Sequence, residues 1–143
     1  HMTGPMQTNK VKRSLELFDV FHTLDREKLA LEFNKQISNL SLKIQKSFFI
    51  QVNTGDEPQK SGISINKLKD FTNYCIKDLN LNVIGLMCIP PINDDAEKHF
   101  ILLKNLAKKN NLYNLSMGMS ADYKIALRCG ATHIRIGSML FKN

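Results

Sequence analysis

No apolar run approaches the ~20 residues that a membrane-spanning helix needs, and the first residues show no basic region leading into an apolar core. Neither a transmembrane nor a secretory reading is supported, and the expected address is the cytoplasm. Cysteine is scarce. Cys75, Cys88 and Cys129 are odd in number, sit on apolar patterns and form no C-x-x-C pair. A disulfide framework and a cysteine-based zinc site are therefore not indicated, and three buried thiols are expected. Fixed-period repeats, low-complexity tracts and linker-like stretches are also missing, which leaves one domain over residues 1–143.

What is present suits a globular chain: 43% hydrophobic and 23% charged residues over 143 positions support one real core. The net charge of +7 raises the question of nucleic acid. Its densest spots, "NKVKR" (Asn9 to Arg13) and "AKKNN" (Ala107 to Asn111), carry no interleaved aromatics and match no binding motif. A solvated lysine-rich surface is the expectation, with no specific nucleic-acid partner and no membrane partner.

Apolar runs alternate with amphipathic stretches. Short buried strands are expected at Phe18 to Thr23, Phe48 to Asn53, Val83 to Ile89, Leu115 to Met119 and His133 to Gly137. After Asp25, a candidate cap, Leu29, Phe33, Ile37 and Leu40 draw one helical stripe. Ser64 is a candidate cap for a second helix burying Leu68, Phe71, Cys75 and Leu79. A third runs from about Asp95 with Phe100, Leu103 and Leu106 inward, and a short fourth spans Ala121 to Gly130. Repeated strand and helix with nearly continuous apolar strands predicts a parallel sheet covered by helices, either doubly wound or a (β/α)8 barrel. Loops rich in Gly, Pro and Asp, such as "NTGDEPQKSG" and "IPPINDD", follow the strands. They lie at the strand C-termini, where such folds keep their binding sites.

The stretch "LSMGMSADYKIALRCGATHIRIGSMLF" places Ser120 after one strand and Gly137-Ser138 after the next. Helix starts expose unpaired N–H groups, so two side by side can form an anion cradle. The plainer alternative is an N-cap at Ser120 and a turn at Gly137. Arg135 lies inside an apolar strand and needs an acceptor, either a ligand or a core carboxylate.

"FDVFHTLDREKLA", "FIQVNTGDEPQKSG", "GLMCIPP", "LSMGMSADYKIAL" and "GATHIRIGSMLF", together with the opening "HMTGPMQTNKVK", resemble in this order the pyridoxal phosphate homeostasis proteins, which are similar to the N-terminal barrel of alanine racemase. The resemblance covers essentially the whole chain. It implies an α/β fold of the TIM-barrel, (β/α)8 type and pyridoxal 5'-phosphate as cofactor. Ser120, with the backbone of Gly137 and Ser138, would hold the cofactor phosphate, Ser138 standing where the family usually has Thr. Met119 belongs to the same loop, Arg135 would face the pyridine nitrogen, and Asn53 and Met87 would line the cavity or serve as ordinary packing. A guanidinium keeps its protons and leaves the ring nitrogen unprotonated, so the ring becomes a poor electron sink. Cofactor binding and homeostasis are therefore favoured over catalysis. The alternative is a fragment of an amino-acid racemase-like enzyme.

The chain departs from that family at its start. Relatives carry about two further strands, the first with the lysine that attaches the cofactor, and this region is not in the sequence. Counting "HMTG" as a strand gives about six of eight, an incomplete barrel expected to be marginal alone. Lys60 is a weak substitute, because a loop lysine is normally solvated. The expected partners are pyridoxal phosphate and recipient enzymes that use it. A complete protein would be a monomer, and edge-mediated association is open to the fragment.

Overall fold

The computed structural model describes residues 1–40 and 45–141. Its centre is a five-stranded parallel sheet of β1 (Val20–Leu24), β2 (Ser47–Gln51), β3 (Asn82–Met87), β4 (Asn114–Met119) and β5 (His133–Arg135), with each strand beside its neighbour in sequence. That order has no reversal point, which excludes the doubly wound option and leaves barrel winding. The helices are α1 (Val11–Leu17), α2 (Glu27–Leu40), α3 (Leu68–Asn73, continued by a π-type turn, Tyr74–Asp78), α4 (Ala96–Lys109), α5 (Tyr123–Cys129) and α6 (Ser138–Phe141). The result is a curled half of a TIM barrel.

Side-chain alternation along the strands sends Phe21, Leu24, Phe48, Ile50, Leu86, Leu115 and Met117 into one core with the apolar stripes of the helices. Every residue expected on the inner stripes of α3 and α4 is buried there, as are Leu29 and Phe33 of α2, while Ile37 and Leu40 pack at the margin. Phe21, Phe33 and Phe48 form an aromatic knot, with ring centroids 4.8 to 5.6 Å apart. Burial of each such ring contributes on the order of 2 to 3 kcal/mol. All three cysteines are buried thiols, and burial pushes Cys75 and Cys88 up to about 12.

Several boundaries differ from expectation. The "HMTG" segment is not a sixth strand: Met2 alone bridges to Phe21, through Met2 N–H to Val20 O and His22 N–H to Met2 O. Pro5, with no N–H, cannot extend the ladder. β1 starts at Val20, because Phe18 still closes α1 by donating to Ser14 O. Helix α1 was not anticipated, since its basic face hides a core contribution from only Val11, Ser14 and Leu15. Asp25 does not cap α2. Its carboxylate binds the Arg26 guanidinium, and the Arg26 carbonyl accepts the first helical bond from Ala30. Ser64 precedes a 3-10 turn at Ile65–Lys67, its hydroxyl donating to Asn66 instead of the helix. Helix α4 begins about where expected, with Asp95 as its cap, accepting from Glu97 N–H at 2.9 Å. Helix α5 starts two residues later than expected and stops at Gly130 in the left-handed region.

Candidate functional site

The helices occupy one face of the sheet, and the opposite, concave face has a different composition. It presents His22 from β1, Phe49 from β2, Met87 from β3, Ser116 from β4, and His133 and Arg135 from β5. Phe49 and Met87 are buried yet stand apart from the helix-facing core. A cleft of about 630 Å³ opens on this face, lined in part by His1, His22, His133, Arg135 and Gly137.

Arg135 sits on the cleft floor and reaches across two strands. Its Nη1 donates to Ser116 Oγ at 2.8 Å and its Nη2 to the Cys88 carbonyl at 2.9 Å. The core carboxylate weighed as its partner is not there: among the described residues Arg135 forms no ion pair. A guanidinium has five N–H donors, so three remain after these two bonds. Burial lowers its proton affinity, but at neutral pH an arginine stays a cation.

Ser116 is fully buried and holds a second bond, its Oγ lying 2.7 Å from His22 Nδ1. The Ser116 oxygen accepts from Arg135, which can only donate, and its proton is free for an unprotonated Nδ1. In that tautomer the proton of neutral His22 is on Nε2, 3.1 Å from His1 Nδ1. The His22 ring stacks on Phe49 at 4.5 Å. Burial first, then the neighbouring His133 and Arg135, push His22 down to about 4, so it is neutral at physiological pH. Burial also lowers His133, whose Nδ1 meets Thr132 Oγ1 at 2.8 Å.

Along the rim, β4 runs through Met119 and Ser120 into α5. Gly118 adopts φ +93°, and a Cβ there would stand 2.5 Å from Ala126 Cβ, so glycine is what lets α5 close over the strand end. Met119 lies opposite Arg135 in the β4–β5 ladder and donates its N–H to Asp122 Oδ1 at 2.7 Å. The half-buried Ser120 hydroxyl accepts from Met139 N–H in the first turn of α6 at 3.3 Å. Gly137 precedes that turn, and a Cβ on it would meet nothing within 4 Å. First-turn amides such as that of Ser138 have no intrahelical acceptor. Ser120 and the turn after Gly137 are therefore joined from two consecutive strand ends, and Gly137 shares the cleft lining with Arg135.

Asn53 is not brought to this group. It lines a neighbouring cleft of about 270 Å³ with Thr3, Thr23, Gln51 and Lys60. Its amide closes its own loop, donating to Glu57 O at 2.8 Å and accepting from Glu57 N–H at 3.3 Å. Lys60 pairs with Glu57 at 2.6 Å in the same loop, and among the described residues no lysine lines the larger cleft. Met87 is wholly buried on the concave face, which leaves it a packing role. Sequence reasoning passed over Ser116, His22 and His133. The usable signal was the one that exposed Arg135: polar residues within short apolar strands.

The residues present fit a phosphorylated pyridine. A hydroxyl beside open backbone at a glycine turn suits a phosphate, and a cation with free donors and no ion pair among the described residues suits a ring nitrogen.

The profile of the family described as Alanine racemase, N-terminal domain, matches residues 1–143. The chain is 38% identical over 150 residues to the pyridoxal phosphate homeostasis protein of Aquifex aeolicus, covering 99% of this chain and 65% of that protein. Its counterpart in Helicobacter pylori strain 26695 is 39% identical, with 99% and 66% covered. The chain thus spans just under two thirds of these curated relatives. Among solved structures it is similar to PipY of Synechococcus elongatus without PLP, with a TM-score of 0.87 and 29% identity over 96% of this chain and 68% of that one. The form of PipY with PLP bound gives a TM-score of 0.83 at 28% identity and the same coverage.

Proposed function

The chain belongs to the alanine racemase N-terminal domain family, and within it we propose that this chain is a non-catalytic pyridoxal 5'-phosphate-binding protein of cofactor homeostasis. The observation that carries the reading is the bond from the Met139 amide to the Ser120 hydroxyl, which ties the two strand ends together at a turn whose Gly137 lines one cleft with Arg135. The names of the homeostasis relatives and the PLP-bound form of PipY support it.

In this proposal Ser120 and the amides after Gly137 hold the phosphate, while Arg135 donates to the ring nitrogen and keeps it unprotonated. When bound, the cofactor supplies an electrophilic aldehyde and an electron-withdrawing ring. Arg135 weakens the second property, because a nitrogen that only accepts a hydrogen bond draws less charge than a protonated one. Met119 flanks the phosphate loop. The role that remains is retention and release, with recipient enzymes as partners. No helix among the described residues is long and apolar enough to cross a membrane.

The test is an absorbance titration of the chain with pyridoxal phosphate, followed by borohydride reduction and peptide mapping. Saturable binding that inorganic phosphate competes away, with no stoichiometric adduct on any lysine, is the expected result. Binding left intact by both Ser120→Ala and Arg135→Ala overturns the site. A stoichiometric adduct at one lysine overturns the non-covalent mode, and exchange of the alanine α-proton with solvent deuterium supports the racemase-like alternative.

A further inference from the structure

Arg135 is held at two points, which is one more than retention of a side chain requires. The Cys88 carbonyl fixes one Nη and the Ser116 hydroxyl the other. Two bonds to a planar fork fix the plane and the direction of its free edge, whereas one bond leaves rotation about the anchor. Ser116 is itself held, because its Oγ lies 2.7 Å from His22 Nδ1 and it is too deep for water to replace that partner. His22 cannot turn away either. Its ring lies against Phe49 on one side, and its Nε2 meets His1. The chain from Arg135 through Ser116 and His22 to His1 therefore runs from β5 across β4 to β1 over the concave face.

We propose that Ser116 and His22 are positioning residues that set ring-nitrogen recognition by locking the Arg135 guanidinium, with Ser116 as a hydroxyl hub that accepts from the arginine and donates to the histidine. This rests on the reading of the cleft as a pyridoxal phosphate site. Without the hub, the guanidinium would still be anchored by Cys88 O, and the cofactor would still be held by its phosphate. What would be lost is preference for a ring that carries a nitrogen acceptor.

The experiment compares binding of pyridoxal phosphate with that of its 1-deaza analogue, in which the ring nitrogen is replaced by CH, to the full chain and its variants. The wild type is expected to prefer the natural cofactor. Ser116→Ala should reduce that preference about tenfold, the effect of one charge-assisted hydrogen bond, while affinity for the deaza analogue stays unchanged. Ser116→Thr, which keeps the hydroxyl, should restore it, and His22→Phe should act like Ser116→Ala. Equal weakening of both ligands by Ser116→Ala reduces Ser116 to a structural residue and overturns the proposal.

A ligand-free readout separates this proposal from the reading beneath it. Imidazole nitrogen NMR should show His22 protonated at Nε2 with Nδ1 accepting a hydrogen bond, and Ser116→Ala should abolish the second signature. An unaltered Nδ1 resonance overturns the lock alone. Failure of the wild type to bind either ligand overturns the site reading and the proposal with it.

Discussion

The two faces of one sheet obey opposite rules. Toward the helices, β1 to β4 present Phe, Leu, Ile, Val and Met, and that face is apolar. The concave face presents His22, Ser116, His133 and Arg135 around Phe49 and Met87, and its polar atoms bond one another over a cleft. The same strands thus separate stability from recognition residue by residue, since adjacent positions point to opposite sides. A change on the outer face should act on folding alone. On the inner face it should act on ligand choice and on the response to pH.

The largest expected effect lies on the outer face. Phe33→Ala removes the ring of α2 that packs on Phe21 and Phe48 and should cost about 3 to 5 kcal/mol in urea denaturation. If the two faces are separable, the folded fraction of this variant should bind pyridoxal phosphate with unchanged affinity. A proportionate loss of affinity would show that the cleft depends on the outer core.

The inner face supplies the next effect, through pH. His22 falls from its ordinary 6.5 to about 4 in the folded chain because burial disfavours its charge. The unfolded chain therefore binds the extra proton first as pH drops. This contribution to stability is fully present above about 6.5 and is lost on descent toward 4, to an extent on the order of 3 kcal/mol. The lowered His133 adds a loss of the same sign. Denaturation midpoints at pH 7.5 and 4.5 should differ accordingly, and His22→Phe should flatten the difference. The carboxylate of Asp94, held down by hydrogen bonds from Lys98, His99 and the Asp95 amide, responds only below its ordinary 3.8 and lies outside this window.

The difference between the faces also explains what could be read in advance. The outer layer was legible because burial of helix stripes leaves a period, and Leu68, Phe71 and Cys75, or Phe100, Leu103 and Leu106, repeat at helical spacing. Helix α1 escaped because it contributes so few core residues among basic neighbours. Strand order is a long-range property, so periodicity alone could not choose between winding patterns. On the inner face Arg135 stood out, because an unpaired charge in an apolar strand demands an explanation. Ser116 and His22 did not, because small polar groups can be satisfied by many local acceptors, and their shared hydrogen bond spans 94 positions of sequence. Asn53 was drawn toward the site by its strand-end position, yet its amide serves its own loop.

Arg135→Lys sharpens the inner side of the comparison. An ammonium keeps the charge but cannot bond Ser116 and Cys88 as a fixed fork. Affinity for pyridoxal phosphate should fall about tenfold, the worth of one charge-assisted bond. The folding midpoint should move little, because the outer core is untouched. An unchanged affinity would mean that charge alone reads the ring.

Asn53→Ala gives the smallest effect and marks the boundary of the cleft. The side chain bridges both the carbonyl and the amide of Glu57, and that loop also carries the Lys60–Glu57 pair. Its removal should cost about 1 kcal/mol of stability, the typical worth of such hydrogen bonds, and leave affinity for pyridoxal phosphate as it was, measured by the same absorbance titration. Loss of affinity without loss of stability would place Asn53 against the ligand after all. The two clefts would then be parts of one site, and the separation would run between the faces of the sheet and no longer along its rim.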